Sequence, residues 1–385
     1  MTIGFSSRAA VRCSAVCVAG ALALAPSAAA ARAGTDPGTP RPSASKPPLY
    51  RAGTQVRPRA GAPEVPEDVS ALSWLVADAR TGGVLAAHDA HRKLPPASTL
   101  KTLFALTVLP VLPGGIRHTV TEEELQGIGD GSSLVGVAEG RTYQVADLWR
   151  GVFLNSGNDA VHVLAAMNGG WRTTAARMQA KARALGALDT HVRSPDGYDT
   201  PGQVSSAYDL AVFGRAGLRN AEFARYCSTV EAKFPGGGGW SYEIANTNRL
   251  LTGADGVEPY PGLIGVKNGS TSNAGSTLVA AARRGGRTLI VTVMNPQAGG
   301  GFTVYEEARS LLDWGFKASG RVEPVGSLLD TRPVPAAGPA ALPVALPATG
   351  GPGWPTAAAI AGAACLGAGS VALALRIRVG RPTRG

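Results

Sequence analysis

The stretch Pro96-Ala97-Ser98-Thr99-Leu100-Lys101-Thr102 places a serine and a lysine three positions apart at the start of an amphipathic segment. The apolar residues of that segment recur at the spacing of one helix face: Leu100, Leu103, Phe104 and Val108. Side chains three residues apart lie on the same side of a helix, so we expect the Lys101 amine beside the Ser98 hydroxyl. A serine becomes a good nucleophile when a base takes its proton, and a lysine can be that base if burial or a second cation lowers its pKa.

This spacing is weak evidence by itself, because Ser43-Ala44-Ser45-Lys46 repeats it in a segment that cannot form a packed helix. A capping Ser98 and a solvated Lys101 would explain the same residues. Two later motifs bear on the choice. In Ser156-Gly157-Asn158, a second hydroxyl can relay a proton and an amide can bind a substrate peptide group. In Lys267-Asn268-Gly269-Ser270-Thr271, a lysine can bind a carboxylate and lower the pKa of Lys101, and the glycine lets substrate lie along the strand. Taken separately, these two motifs are also explained as a turn and a strand end.

Strand and helix signals place the three motifs in an α+β fold with one antiparallel sheet. Two short strands around a Gly-Gly turn, at 72–78 and 84–87, predict an opening hairpin. Helical signals follow at 145–167 and 172–186. The last signals are strands at 261–268, 274–282 and 287–294, and a helix at 303–315.

The order and separation of the motifs, SxxK on a helix, then SxN, then KxG on a strand, form a specific combination. It resembles the penicillin-recognising serine enzymes, in particular the low-molecular-mass D-alanyl-D-alanine carboxypeptidases. The similarity covers about 70–318. Further stretches that resemble the family are 74–78, 82–86, 131–134, 154–160, 194–197 and 246–251.

The resemblance implies a β-lactamase/transpeptidase-like fold, with an antiparallel sheet packed with helices and a helical subdomain. It implies that Ser98 is the acylated nucleophile, Lys101 its base, and Ser156 the group that passes a proton to the leaving D-alanine. The substrate would be a peptidoglycan stem peptide ending in D-Ala-D-Ala, with β-lactams as inhibitors and no metal or other cofactor. The implied substrate-binding residues are Asn158, Lys267, Asn268, Gly269, Ser270 and Thr271, and the backbone N–H groups of Ser98 and Ser270 would form the oxyanion hole.

One departure from the family pattern is Asn268, which stands where the family usually has Thr, so that an amide replaces a hydroxyl beside the carboxylate site. Two alternatives stay open: a class A-like β-lactamase, and a catalytically weak wall-anchored scaffold or penicillin-binding protein. The first is disfavoured because no glutamate stands in the expected setting between the second and third motifs. A Ser-His-Asp hydrolase and a zinc enzyme are disfavoured because GxSxG and HExxH are absent from the sequence.

The charge of the chain argues against a nucleic-acid partner. The 385 residues carry a formal net charge of +10, but residues 67–375 contain equal numbers of basic and acidic side chains. The excess therefore belongs to the two ends. Residues 1–33 have the basic start, apolar centre and small-residue end of a secretory signal peptide. Residues 34–66 are rich in Pro and Ala and predict a disordered spacer, so the catalytic domain is expected at 67–330.

The C-terminal end predicts a tether. Residues 331–353 form a Pro-rich linker that contains Leu346-Pro347-Ala348-Thr349-Gly350, a sequence that resembles a sortase signal. Residues 354–375 are apolar enough to span a membrane, and 376–385 form an Arg-rich cytoplasmic tail. We expect an exported protein, either held at the extracellular face of the membrane or joined to the cell wall by sortase. Cys227 is the only cysteine outside the predicted signal peptide and span, so no intrachain disulfide is expected in the mature domain.

Overall fold

An antiparallel sheet forms the centre of the fold in the computed structural model, which describes residues 47–329. The strands of this part of the chain are β1 (Thr54–Pro58), β2 (Ser73–Asp78), β3 (Gly83–His88), β4 (Arg117–Thr119), β5 (Thr142–Gln144), β6 (Glu231–Gly237), β7 (Trp240–Ala245), β8 (Leu263–Thr271), β9 (Gly275–Arg284), β10 (Arg287–Met294), β11 (Val322–Glu323) and β12 (Gly326–Ser327). The main sheet has the order β11-β1-β3-β2-β10-β9-β8, with β12 beside β3. Strands β4 and β5, and strands β6 and β7, form two further two-stranded sheets.

Helices cover both faces of the main sheet. The α-helices between residues 47 and 329 are α1 (Lys101–Val108), α2 (Val145–Leu154), α3 (Asn158–Met167), α4 (Trp171–Ala184), α5 (Ala207–Leu218), α6 (Ala221–Ser228), α7 (Arg249–Thr252) and α8 (Thr303–Ala318). Helix α8 packs on β9 and β10 from one side, whereas α5 packs on β10 and β2 and also contacts α1. Helices α2, α3 and α4 form a helical region beside the sheet, joined to it through α1 and α6.

The core is divided in two by the sheet, as the alternation of side chains along β10 shows. Ile290 and Met294 belong to the cluster under the helical region, whereas Leu289, Val291 and Val293 pack in the cluster under α8. All five are fully buried. Successive residues of a strand point to opposite faces, so a strand with helices on both sides is apolar throughout. The α+β prediction is confirmed.

Two predictions about the elements need correction. The helical segment predicted at 145–167 is two helices, because the chain breaks at Ser156, whose φ is +57°. The disordered spacer predicted at 34–66 is wrong for its last part, since β1 pairs with β3 on one side and β11 on the other. Strand β1 is mostly exposed and is held by backbone hydrogen bonds, so its composition gives no apolar signal.

The predicted signal peptide, the rest of the spacer and the predicted linker, span and tail lie outside the residues that the structure describes. Within residues 47–329, no helix is both long and apolar enough to cross a membrane.

Candidate active site

The turn that carries Ser98 is held against the sheet in a conformation that few residues adopt. A 3-10 helix at Ala97–Leu100 runs directly into α1, and Ala97 has φ +48°. Left-handed backbone at a residue with a Cβ costs energy and persists where the surroundings impose it. Here the Thr277 hydroxyl of β9 donates to the Pro96 carbonyl over 3.0 Å. Ser98 itself is half-buried, so its hydroxyl can meet a substrate.

Lys101 lies beside Ser98, as the spacing predicted. Its Nζ is fully enclosed and has three oxygen neighbours: Ser98 Oγ at 2.8 Å, Asn158 Oδ1 at 2.7 Å and the Asp196 carbonyl at 2.8 Å. A charged lysine would donate to all three. A neutral lysine can donate to the amide and the carbonyl and turn its lone pair to the serine hydroxyl. The geometry therefore suits an amine that accepts the Ser98 proton.

The protonation of Lys101 is set mainly by its burial. Burial lowers the pKa of Lys101 to about 8, although Asp196 and Asp159 raise it in part. Burial and a second cation, Lys267, were the two causes considered for this shift, and Lys267 is not among the groups that lower the pKa of Lys101. The structure shows the repulsion at Lys267 instead, since burial first and Lys101 second hold the pKa of Lys267 well below its usual value.

The Ser156 motif forms the turn between α2 and α3. The strained Ser156 is followed by Gly157, whose N–H donates to the Gly151 carbonyl over 3.0 Å, and by Asn158 at the start of α3. The Asn158 amide nitrogen donates to Ser132 Oγ over 3.0 Å, while its oxygen accepts from Lys101. Ser156 Oγ is buried and has no hydrogen-bond partner among the described residues. A buried hydroxyl without a hydrogen-bond partner lowers the stability of the fold unless a substrate or a water molecule supplies the missing hydrogen bond.

Strand β8 runs beside the turn that carries Ser98. A Cβ on Gly269 would lie 2.5 Å from the backbone nitrogen of Ser98, so a larger residue could not stand here. Lys267 donates to the Asn268 carbonyl over 2.9 Å. The Asn268 side chain accepts from the Thr247 hydroxyl over 3.0 Å, which ties β8 to the segment before α7. The strand therefore presents its backbone to Ser98.

A cleft of about 210 Å³ opens between the turn that carries Ser98, the loop before β5, the segment 197–199 and the end of β8. Its lining residues are Ser98, Asp130, Gly131, Ser132, Ser133, Asn158, Gly197, Tyr198, Asp199, Ser270, Thr271 and Ser272. Four of the predicted site residues, Ser98, Asn158, Ser270 and Thr271, thus meet in one cleft. The Thr271 hydroxyl donates to Asp199 over 2.7 Å, so part of its hydrogen bonding is taken up inside the protein.

Several residues that organise the site were not predicted. The buried Asp159 carboxylate accepts the backbone N–H groups of Val135, Gly136 and Val137, and so shapes the loop that follows the cleft-lining serines. The Asp196 carbonyl contacts Lys101, and a Cβ on Gly197 would lie 2.1 Å from the Ala97 carbonyl. A carboxylate at the start of a helix was the available signal for Asp159. The role of the Asp196 backbone has no signature in the sequence. Among residues 47–329, no group of three or more His, Cys, Asp or Glu side chains could hold a metal ion.

An antiparallel sheet with helices on both faces, and a serine, a buried lysine and a strand edge at one cleft, define a penicillin-recognising serine enzyme fold. The comparisons specify the family. The sequence model of the peptidase S11 family, the D-alanyl-D-alanine carboxypeptidases, matches residues 59–298, and the chain belongs to this family.

Proteins with similar sequences are also named D-alanyl-D-alanine carboxypeptidases. A D-alanyl-D-alanine carboxypeptidase of Mycobacterium tuberculosis is 41% identical over 280 residues, which are 72% of this chain and 92% of the relative. A D-alanyl-D-alanine carboxypeptidase of Escherichia coli is 36% identical over 263 residues, which are 65% of this chain and 64% of the relative. The predicted class of enzyme is therefore confirmed at the level of the family.

Solved structures agree with the sequence matches. The crystal structure of a D-alanyl-D-alanine carboxypeptidase from Mycobacterium tuberculosis is 40% identical and has a TM-score of 0.64, covering 71% of this chain and 100% of that one. The structure of a mutant of the Streptomyces K15 DD-transpeptidase is 26% identical and has a TM-score of 0.60, and the match covers 65% of this chain and 99% of that one. The predicted fold is confirmed.

Proposed function

We propose that this protein removes the terminal D-alanine from peptidoglycan stem peptides through an acyl-enzyme on Ser98. The observation that carries the proposal is the enclosed Lys101 amine, 2.8 Å from Ser98 Oγ, whose pKa is lowered to about 8. An appreciable fraction of this amine is neutral near pH 7, which an exposed lysine would not be. Family membership supports the choice of a D-Ala-D-Ala substrate.

In the first half of the reaction, neutral Lys101 takes the Ser98 proton while Oγ attacks the carbonyl carbon of the penultimate D-alanine. Negative charge develops on the carbonyl oxygen, and the N–H groups of Ser98 and Ser270 are the donors proposed for it. The absence of a side chain at Gly269 lets β8 approach the backbone of Ser98 closely, so that the two proposed donors can lie near one another. Collapse of the intermediate breaks the peptide bond, and the leaving D-alanine nitrogen receives the proton through Ser156.

In the second half, water attacks the ester carbonyl on Ser98 and gives a proton to the amine of Lys101. The bond between the carbonyl carbon and Ser98 Oγ then breaks, and Lys101 returns the proton to Oγ, which regenerates the serine and frees the shortened peptide. Lys267 is proposed to bind the C-terminal carboxylate of the substrate. Since burial and Lys101 both lower the pKa of Lys267, an incoming carboxylate would raise that pKa again and favour the charged form. Asn158 would hold the peptide backbone of the substrate, and Ser270 and Thr271 would help to bind the carboxylate.

The test uses the full chain and a fluorescent penicillin. Covalent label on the wild type that disappears in Ser98→Ala is the expected result. The matched control is Ser43→Ala, which removes the serine of the second SxxK sequence and should leave labelling unchanged. Label that survives Ser98→Ala would refute the assignment of the nucleophile. D-alanine release from a peptide ending in D-Ala-D-Ala, measured on the same samples, separates a carboxypeptidase from a scaffold, and fast release of the bound penicillin would favour the β-lactamase alternative.

We also propose that the protein is exported and tethered outside the cell. The sequence of residues 1–33 and the order of pentapeptide, apolar run and basic tail at 346–385 support this. Mass spectrometry of the mature protein from cell walls and membranes provides the test. A C-terminus at Thr349 would support sortase processing, whereas an intact Gly385 would support a retained membrane anchor.

A further inference from the structure

A second cleft, of about 380 Å³, lies at the far end of the β8–β9 pair from Ser98. Its β8 residue, Ile264, precedes Gly269 by five positions, a distance of roughly 16 Å along a strand. The cleft therefore does not belong to the active site. Its lining residues are Ala79, Arg80, Arg215, Leu218, Arg219, Ala224, Arg225, Ser228, Ile264, Arg283 and Thr288, and we call it the arginine cleft.

The charge of the arginine cleft is one-sided. All five of its charged residues are arginines, although residues 67–375 as a whole are neutral. Within the described residues, Arg225 pairs with Glu222 at 3.8 Å, and the other four arginines have no ion pair. Like charges gathered at one concave surface focus a positive potential there.

Arg215 is fixed at the wall of this cleft. Its Nε donates to the Ala79 carbonyl over 2.8 Å and one terminal nitrogen donates to the Arg80 carbonyl over 3.2 Å. Burial and the neighbouring Arg219 lower the pKa of Arg215, and Asp78 opposes this only in part. The Asp78 carboxylate already accepts the N–H groups of Arg80 and Thr81. The positive charge of the cleft is therefore incompletely balanced from within the protein.

The other lining residues give the cleft an apolar floor. Leu218 and Ile264 are partly buried and pack against the main core, and Ala79 and Ala224 lie beside them. The methylene stems of arginines extend such a surface while their guanidinium groups stay at the rim. An apolar floor below a ring of guanidinium groups fits an amphiphile with an anionic head better than it fits a small hydrophilic anion.

The described chain ends next to this cleft. A Cβ on Gly82 would lie 2.9 Å from Leu329 Cγ and 3.6 Å from Arg215 Nε, so Leu329 and Arg215 are neighbours. Residues 330–353 connect Leu329 to the apolar run at 354–375, which is the proposed membrane anchor. Provided that the proposed membrane anchor, on which this inference rests, is retained rather than removed by sortase, a tether that starts beside the cleft keeps the cleft near the phospholipid headgroups of the membrane surface.

From this juxtaposition we propose that the arginine cleft binds the phosphate headgroup of an anionic phospholipid. The planar guanidinium groups match phosphate oxygens in pairs, and the upper part of an acyl chain would cover the apolar floor. Binding would turn one end of the sheet toward the bilayer and leave the Ser98 cleft at the other end facing away from it.

The test titrates the full chain, purified in a nonionic detergent, with dihexanoyl phosphatidylglycerol and follows heat by calorimetry. Parallel titrations use dihexanoyl phosphatidylcholine, sn-glycerol 3-phosphate and inorganic phosphate. We expect saturable binding of the phosphatidylglycerol at one site, at least tenfold tighter than binding of any of the other three. Equal binding of the phosphatidylcholine would overturn the role of the anionic head, and equal binding of glycerol phosphate or phosphate would overturn the role of the acyl chain.

The variant Arg80→Gln/Arg219→Gln locates the binding. Both side chains are exposed and neither forms a hydrogen bond or ion pair with another described residue, so the fold should be unaffected. Near a lipid surface, the loss of one arginine lowers the affinity for an anionic lipid by roughly tenfold or less. We therefore expect the double variant to bind phosphatidylglycerol about tenfold to thirtyfold more weakly than the wild type does. Arg172→Gln/Arg183→Gln on α4 removes the same charge from exposed positions outside the cleft and should bind as the wild type does. If both variants lost the same affinity for phosphatidylglycerol, or if neither lost any, the cleft would be refuted as the binding site.

Discussion

Gly269 of β8 lies so close to Ser98 that a Cβ on the glycine would stand 2.5 Å from the serine backbone nitrogen and 3.0 Å from the Ala97 Cβ. The strand and the turn that carries Ser98 are therefore in direct backbone contact. Because an oxyanion hole needs two backbone donors at a fixed separation, this contact is a condition of the proposed mechanism.

The variant Gly269→Ala should lower the rate of acylation by penicillin by about 10²–10³-fold, since the new methyl group would push β8 away from the Ser98 N–H. Gly115→Ala is the matched control, because a Cβ at Gly115 would meet nothing within 4 Å. Stopped-flow labelling of both variants measures the effect. An acylation rate for Gly269→Ala within threefold of wild type would show that the strand does not set the oxyanion hole.

The acylation rate should depend on pH through Lys101. Below a pKa of about 8 the amine is mostly charged and cannot take the Ser98 proton, so the rate at saturating penicillin should rise about tenfold for each pH unit between 5 and 7. It should level off at or below pH 8, because a charged Lys267 in the complex would lower the pKa of Lys101 further. A rate that does not change between pH 5 and 8 would argue against Lys101 as the base.

Replacing the base itself should be more severe. Lys101→Met keeps much of the side-chain volume but removes the amine, and we expect the acylation rate to fall by about 10²–10⁴-fold. Lys93→Met, an exposed lysine outside the site, is the control and should retain full activity. Thermal unfolding checks the fold, since Lys101→Met leaves Asn158 Oδ1 and the Asp196 carbonyl without their buried donor. Wild-type rates in Lys101→Met would remove the central step of the mechanism.

The variant Asp159→Asn should change stability and the pH profile together. Its carboxylate accepts three backbone N–H groups of the 135–137 loop, and an amide with one oxygen satisfies fewer of them, so a loss of about 1–3 kcal/mol is expected. Asp159 also raises the pKa of Lys101, so its neutralisation should move the rising limb of the acylation profile to lower pH. A limb that stays in place would show that Asp159 acts on the loop alone.

Cys227 should be inert in the folded protein. It is fully buried, and burial raises the pKa of its thiol to about 12, which leaves very little thiolate near neutral pH. Iodoacetamide followed by peptide mass spectrometry should modify Cys227 in urea but not under native conditions. Rapid native modification would mean that the α6–β8 contact, where the thiol donates to the Ile264 carbonyl, opens readily.

The parts of the fold that could be predicted are those in which one element carries its own periodic signal. Helix α1 and the buried central parts of strands β9 and β10 are mostly apolar, and the positions of these elements agree with the prediction. Strand β1 was missed because its side chains are mostly exposed and backbone pairing to distant segments holds it. The β6–β7 hairpin was missed although its strands are neighbours in the chain, because most side chains of β7 are exposed. The helical prediction ran through 145–167 although a turn was also considered at Ser156, because a helical apolar pattern continues on both sides of the break.

The sequence by itself determined which residues are proposed to carry the chemistry, because Ser98 and Lys101 are related by the local geometry of one helical turn and the other motifs follow in a fixed order. The tertiary structure decided how those residues are charged and what surrounds them. The carbonyl of Asp196 and the amide of Asn158 reach Lys101 from segments 95 and 57 residues away, and the enclosure they complete lowers the pKa of that lysine. Desolvation depends on every segment that packs around a group, so no local pattern of residues encodes it.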